Sequence, residues 1–179
     1  RYPAEAYRMQ FTSNHDENTW NGTVFERLSQ AAEIFAVFTF MIKDMPLVYS
    51  GQEAGMDKRL EFFEKDPIEW KDHHFRKLYT DLFHLKKNNK AIWNGIHGGE
   101  MYRLNTHNDE NIYALAREKD DDKIIALFNF STEEYSFTIK DDVLTGNYIN
   151  FITSDKISLE DKEEFTLSPW EYLVLVKVE

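Results

Sequence analysis

The sequence predicts two bodies of different class: an α/β segment over residues 1–92 and an antiparallel β-sandwich over residues 93–179. Three observations carry this. Strand-length apolar runs alternate with helical patterns up to residue 92. Beyond Gly98 the pattern becomes short aromatic and β-branched runs between turn clusters. The charge also changes midway, from 14 acidic and 13 basic residues in 1–92 to 18 and 8 in 93–179.

In chain order, Met9–Ser13 reads as a short strand leading into the polar cluster Ser13-Asn14-His15-Asp16-Glu17-Asn18. Thr23 and Glu26 have capping-box spacing and start a helix, on which Val24, Leu28, Ala31, Ala32 and Phe35 form one buried stripe. Met45-Pro46 stops it. The continuous apolar run Pro46-Leu47-Val48-Tyr49 suits a parallel strand covered on both faces, and Ser50-Gly51-Gln52-Glu53 follows at once. After a loop with Pro67 comes a second amphipathic helix carrying Phe75, Leu78, Tyr79, Leu82 and Leu85. The glycines at 95, 98 and 99 mark the boundary. Met101–Leu104, Ile112–Arg117, Ile124–Phe130, Tyr135–Ile139, Tyr148–Ile152, Phe165–Leu167 and Tyr172–Val178 are then the strands of the sandwich, with turns such as Asp120-Asp121-Asp122 between them.

Two parallel strands and two helices leave strand edges unpaired. An eightfold βα-barrel takes roughly 250 residues, so residues 1–92 amount to about a quarter of one. The chain is expected to be a piece of a longer protein, and its first residue, Arg1, implies a processed or cut start.

A net charge of −11 without a basic stripe argues against a nucleic-acid partner. With no cysteine there is no disulfide framework, thiol nucleophile or thiolate metal site. The longest apolar run, near Phe35–Ile42, is too short to span a bilayer, and no signal peptide opens the chain, so no membrane association is expected. The compartment (cytoplasmic, periplasmic or secreted) stays open.

Polar groups gather just after each candidate strand, where ligands bind in parallel α/β folds. That places Asn14, His15 and Asp16 on one loop and Gln52 and Glu53 on the other around a common site. An adjacent imidazole and carboxylate can hold two neighbouring sugar hydroxyls, one as donor and one as acceptor. Spacing alone favours the plainer reading, a capping or turn cluster before a helix. The indole of Trp20 could stack on a flat ligand ring or pack in a core or lid.

Phe11-Thr12-Ser13-Asn14-His15-Asp16 resembles the F-x-x-N-H-D segment after the seventh barrel strand in the alpha-amylase family of glycoside hydrolases. Pro46-Leu47-Val48-Tyr49-Ser50-Gly51-Gln52-Glu53 resembles that family's P-L-I-Y-x-G-x-E segment around the eighth strand. One helix lies between them, as in the family, and the following sandwich matches the domain after the barrel. The resemblance implies the last two βα units of a (β/α)8 TIM barrel followed by an antiparallel β-sandwich, and a parent that cleaves α-glucans or maltooligosaccharides with retention. It implies that Asp16 is a catalytic carboxylate stabilising an oxocarbenium-like transition state. It makes His15 a donor to the same sugar, with Asn14 shaping the loop and Glu53 supporting at the barrel mouth. Trp20 joins these as a substrate-binding candidate. The nucleophile and general acid/base lie upstream in the family, so the isolated chain is expected to be inactive.

No cofactor or metal is indicated, with calcium left open for the parent, and the truncated barrel is expected to self-associate. The alternatives are an α-glucosidase or transglycosylase of the same family, or a non-catalytic carbohydrate-binding sandwich. Further candidates have bland explanations: Tyr49 as packing, Lys58 and Arg59 as solvated charges, His73-His74 without metal spacing, Asp120-Asp121-Asp122 as a hairpin turn, Trp93 and Trp170 as packing. Asn21-Gly22-Thr23 and Asn129-Phe130-Ser131 match the glycosylation pattern.

Overall fold

The computed structural model describes residues 2–3, 5–141, 144–160 and 163–178. The chain divides into two compact units, Arg1–Asn88 and Asn89–Glu179, so the division falls ahead of the glycine cluster rather than in it.

In the first unit, β1 (Met9–Gln10) and β2 (Met45–Pro46) pair in parallel, with Met9 opposite Met45. The ladder is shorter than the apolar runs suggest. Its last rung is the Leu47 N–H to the Gln10 carbonyl (2.8 Å), and Pro46 has no N–H to offer. The Thr12 carbonyl is instead taken by the Arg27 guanidinium (2.5 Å), which ends strand geometry there. Nor is the pair covered on both faces: Met9 and Phe11 are exposed and Leu47–Tyr49 are half-buried.

The helix between them starts as expected. Glu26 N–H donates to the Thr23 hydroxyl and Thr23 N–H to the Glu26 carboxylate. It is not continuous, however: α1 (Val24–Leu28) ends at Ser29, whose φ of 48° leaves the helical basin. A 3₁₀ turn, Ser29–Ala31, leads into α2 (Ala32–Met41). Ile34, Ala36, Val37, Phe40 and Met41 are all buried, so α2 is covered around most of its circumference, beyond a single stripe. It stops at Met41, before Met45-Pro46, because Ile42 is extended and Asp44 has a φ of 101°. The third helix, α3 (His74–Asn88), buries Phe75, Leu78, Tyr79 and Leu82 on one face.

Among the described residues the second unit holds eight strands: β3 (Glu100–Leu104), β4 (Ile112–Lys119), β5 (Asp122–Asn129), β6 (Tyr135–Thr138), β7 (Gly146–Asn150), β8 (Lys156–Leu159), β9 (Glu164–Leu167) and β10 (Tyr172–Val178). They form a six-stranded antiparallel sheet ordered β3-β4-β5-β10-β7-β8 and a two-stranded sheet β6-β9. One core joins both sheets. Ala114, Ile125, Leu127 and Leu175 come from the larger, Phe137, Phe165 and Leu167 from the smaller. This is a sandwich with unequal layers. β5 lies centrally and is buried on both faces from Ile124 to Asn129. β8 is the strand absent from the sequence expectation, since Lys-Ile-Ser-Leu offers only two apolar residues to an alternation.

Candidate functional site

The two polar segments leave the carboxyl ends of β1 and β2, and a buried side chain locks them together. Gln52 Oε1 accepts the Tyr49 N–H (2.7 Å), while Nε2 donates to the Thr12 hydroxyl (2.7 Å) and to the Tyr79 hydroxyl on α3 (3.1 Å). Burial pushes the Tyr79 phenol well above its ordinary pKa, so it serves as a neutral hydroxyl. The turn around Gln52 needs glycine at both ends. Gly51 has φ 94° and Gly55 φ 62°, and a Cβ on Gly55 would lie 2.4 Å from the His73 ring.

His15 and Asp16 do not sit on a loop: they open a helical turn that continues as the π-helical segment Glu17–Asn21. Asn14 caps that turn, its Oδ1 accepting the Glu17 N–H (2.8 Å) and its carbonyl the Asn18 N–H (2.9 Å). This fixes the two residues after it side by side. His15 Nε2 lies 3.6 Å from Asp16 Oδ2, with side chains 66% and 60% exposed. That separation is longer than a hydrogen bond, so neither group ties up the other and both side chains stand exposed. Glu53 behaves differently, its Oε2 accepting the N–H of Gly51 within its own turn (3.0 Å).

Trp20 is exposed and joins an aromatic group that the sequence motifs do not mark. The Phe62 ring lies 5.3 Å from Trp20 and 5.8 Å from His15, and Phe63 packs edge-on against Phe62 at 4.8 Å. The loop bearing the two phenylalanines is held by backbone mimicry. Asn18 donates to the Lys58 carbonyl (3.1 Å) and accepts the Leu60 N–H (2.8 Å), and the Thr19 hydroxyl donates to the Leu60 carbonyl (2.7 Å). The signal available in the sequence was an apolar doublet set among Glu61, Glu64, Lys65 and Asp66.

The bland readings of the charges nearby have specific partners. Arg59 forks onto the Glu26 carboxylate (2.8 and 3.1 Å) and holds it below the usual carboxylate range, and Lys58 pairs with Asp66. Burial pushes the Tyr49 phenol up. The imidazole of His74 meets Glu33 at 2.8 Å. His73 Nδ1 accepts the Phe75 N–H (3.2 Å). In the turn between β4 and β5, Asp120 pairs with the Lys90 ammonium (2.9 Å) and Asp122 accepts the Lys90 N–H (2.7 Å). No group of three or more metal-ligating side chains occurs among the described residues. Asn129 is wholly buried and donates to the Glu133, Leu167 and Ser168 carbonyls, which removes it as a glycosylation acceptor. Trp93, expected to pack, is partly exposed, and Trp170 holds a positive φ of 58°.

No family model matches the chain. Alpha-amylase 2 of Dictyoglomus thermophilum is 23% identical over 156 residues, covering 78% of this chain and 26% of that protein. An oligo-1,6-glucosidase of Bacillus cereus is 29% identical over 110 residues, 62% of this chain and 19% of its own length. Among solved structures, a noncanonic maltogenic alpha-amylase, AmyB, from Thermotoga neapolitana superposes with a TM-score of 0.82 at 22% identity, over 99% of this chain and 43% of that one. The chain thus spans roughly a quarter or less of the curated relatives it matches. Over most of its length it resembles the alpha-amylase family of glycoside hydrolases, and its short coverage of those relatives fits a C-terminal piece.

Proposed function

We propose that the chain is the C-terminal part of an alpha-amylase-type glycoside hydrolase: the last two βα units of a (β/α)8 barrel, then its sandwich domain. The observation that carries this is the exposed His15–Asp16 pair at the end of a parallel strand, locked to the neighbouring strand end through Thr12 and Gln52. On this reading the substrate is an α-glucan or maltooligosaccharide. Asp16 grips hydroxyls of the sugar at the scissile bond, and His15 donates to the same ring. Hydrogen bonds to the 2-hydroxyl that strengthen as the ring flattens toward the oxocarbenium ion lower the barrier by several kcal/mol. Asn14 sets the turn, Glu53 shapes the opposing one, and Trp20 offers a stacking face.

Retention needs a nucleophile and an acid/base with carboxyls about 5 Å apart, and those come from chain upstream of this segment. Asp16→Asn in the full-length protein is expected to lower kcat on maltooligosaccharides about 100-fold or more with a smaller change in KM. An unchanged kcat removes Asp16 from catalysis. The 179-residue chain alone is expected to release no reducing sugar from starch, and measurable turnover would refute the division of labour.

The likeness to an oligo-1,6-glucosidase supports a second reading, an α-glucosidase of the same family. A binding module built on the sandwich has less support. Among the described residues Tyr102 is the one exposed aromatic on its strands, and Phe128 and Phe137 are buried.

A further inference from the structure

We infer that Arg27 is a positioning residue for the reaction: its guanidinium braces both ends of the segment that carries His15 and Asp16, and so fixes where the Asp16 carboxylate stands. The inference rests on the reading of Asp16 as the sugar-gripping carboxylate. Each nitrogen of the planar head has its own task. Nη2 donates to the Thr12 carbonyl before the segment (2.5 Å), and Nε donates to the Gly22 carbonyl after it (3.0 Å). Nη1 lies 3.8 Å from Oε2 of Glu17, within the segment. Thr12 and Gly22 are both buried, and an acceptor left unpaired in such a place is costly.

The segment needs a brace from outside. The Asp16 carboxylate is exposed and too far from His15 for a hydrogen bond, so the backbone beneath it sets its place. That backbone is a helical turn running into the π-helical Glu17–Asn21, a rare geometry. A single turn fixes many dihedrals for few hydrogen bonds and holds its shape poorly unaided. The Asn14 cap steadies its start, and Asn21 Nδ2 donates to Glu17 Oε2 (3.1 Å) on its exposed side. Past Asn21 the chain leaves through Gly22, whose φ of 116° suits glycine. Arg27 joins this exit to the strand end. It stands on α1, whose start the Thr23–Glu26 capping box fixes, so the brace is anchored outside the turn it holds. A guanidinium suits the task because it is a rigid fork of five donors, whereas a lysine ammonium is a compact point charge.

The test is a double-mutant cycle in the full-length protein that carries this chain, with maltoheptaose as substrate and circular dichroism to count folded molecules. Arg27→Lys keeps the charge and loses the fork. It is expected to lower kcat per folded molecule about 10–100-fold, the scale of a misplacement near 1 Å, with KM changed less than about threefold. In an Asp16→Asn background the same change is expected to cost less than about twofold, because the carboxylate it places is already gone. An equal loss in both backgrounds overturns the inference and makes Arg27 a general prop of the fold. An unchanged kcat in Arg27→Lys overturns it too. Arg27→Gln, with one amide donor, is carried through the same cycle. If activity in both variants falls only as folded protein is lost, the role is structural and the inference fails. Asp16→Asn alone separates the two ideas. If it leaves kcat intact, the catalytic reading fails and the positioning role falls with it. If it lowers kcat while Arg27→Lys does not, the positioning role alone fails.

Discussion

Gln52 shows how an uncharged side chain can decide where two strand ends stand. Its amide has two polar atoms, and both are spent on fixing the strand ends: one on the Tyr49 N–H, the other on Thr12 and Tyr79. Gln52→Leu keeps the volume but strands these buried partners, which is expected to cost about 1–3 kcal/mol. Urea denaturation of the chain measures it, and a change under about 0.5 kcal/mol would show that the amide is not the tie between the segments. The contrast with Glu53 is instructive. From sequence, a carboxylate at a strand end draws attention because it can hold sugar hydroxyls, whereas an amide beside it does not. The placement of His15 and Asp16 side by side after the first strand was legible because motif and spacing are local. The work of Gln52 was not legible, since its partners are 40 and 27 residues away. Phe62 and Phe63 escaped for a related reason. Nothing local says whether an apolar doublet is core or display.

Elements were legible in proportion to the regularity of their burial. α3 followed from its stripe, and seven strands of the sandwich followed from aromatic and β-branched runs between turns. The shortened β1 and β2 and the break at Ser29 depend on tertiary bonds such as Arg27 to Thr12 and on local backbone conformation, which a periodicity cannot report. The start of α3 carries a titratable cap. His73 Nδ1 must be unprotonated to accept the Phe75 N–H. Burial, then the charges of His74 and Lys71, holds its pKa below the ordinary histidine value, against the opposing pull of Glu33 and Asp72. A histidine depressed in the folded state contributes stability that is fully present above about pH 6.5 and is lost as pH falls through the folded value. The chain is therefore expected to melt at lower temperature at pH 5 than at pH 7.5. His73→Asn, which caps without titrating, is expected to flatten that difference. An equal pH dependence in the variant would assign it to other groups.

At the scale of the whole molecule, the first unit exposes apolar surface beside its two-stranded sheet. Met9 and Phe11 are exposed on β1, and a hollow of about 250 Å³ is lined by Phe11, Leu28, Phe35, Phe38 and Ile42. Apolar surface beside an unpaired strand edge recruits another copy when no further strand covers it. Light scattering is expected to find the isolated chain self-associated, and a monodisperse monomer would contradict this.

The sandwich, by contrast, has a core of its own, and its start is anchored by an arginine. Arg117 is fully buried, its guanidinium donating to the carbonyls of Trp93 (3.0 Å) and Gly99 (3.2 Å). A Cβ on Gly98 would fall 2.0 Å from the Trp93 oxygen, and one on Gly99 2.3 Å from that of Glu118. The glycine cluster, which composition presents as a place to cut, is therefore a clasp rather than a hinge. Excising the sandwich at those glycines would discard the Trp93 carbonyl that accepts from the buried guanidinium, so a separable domain has to begin no later than Trp93.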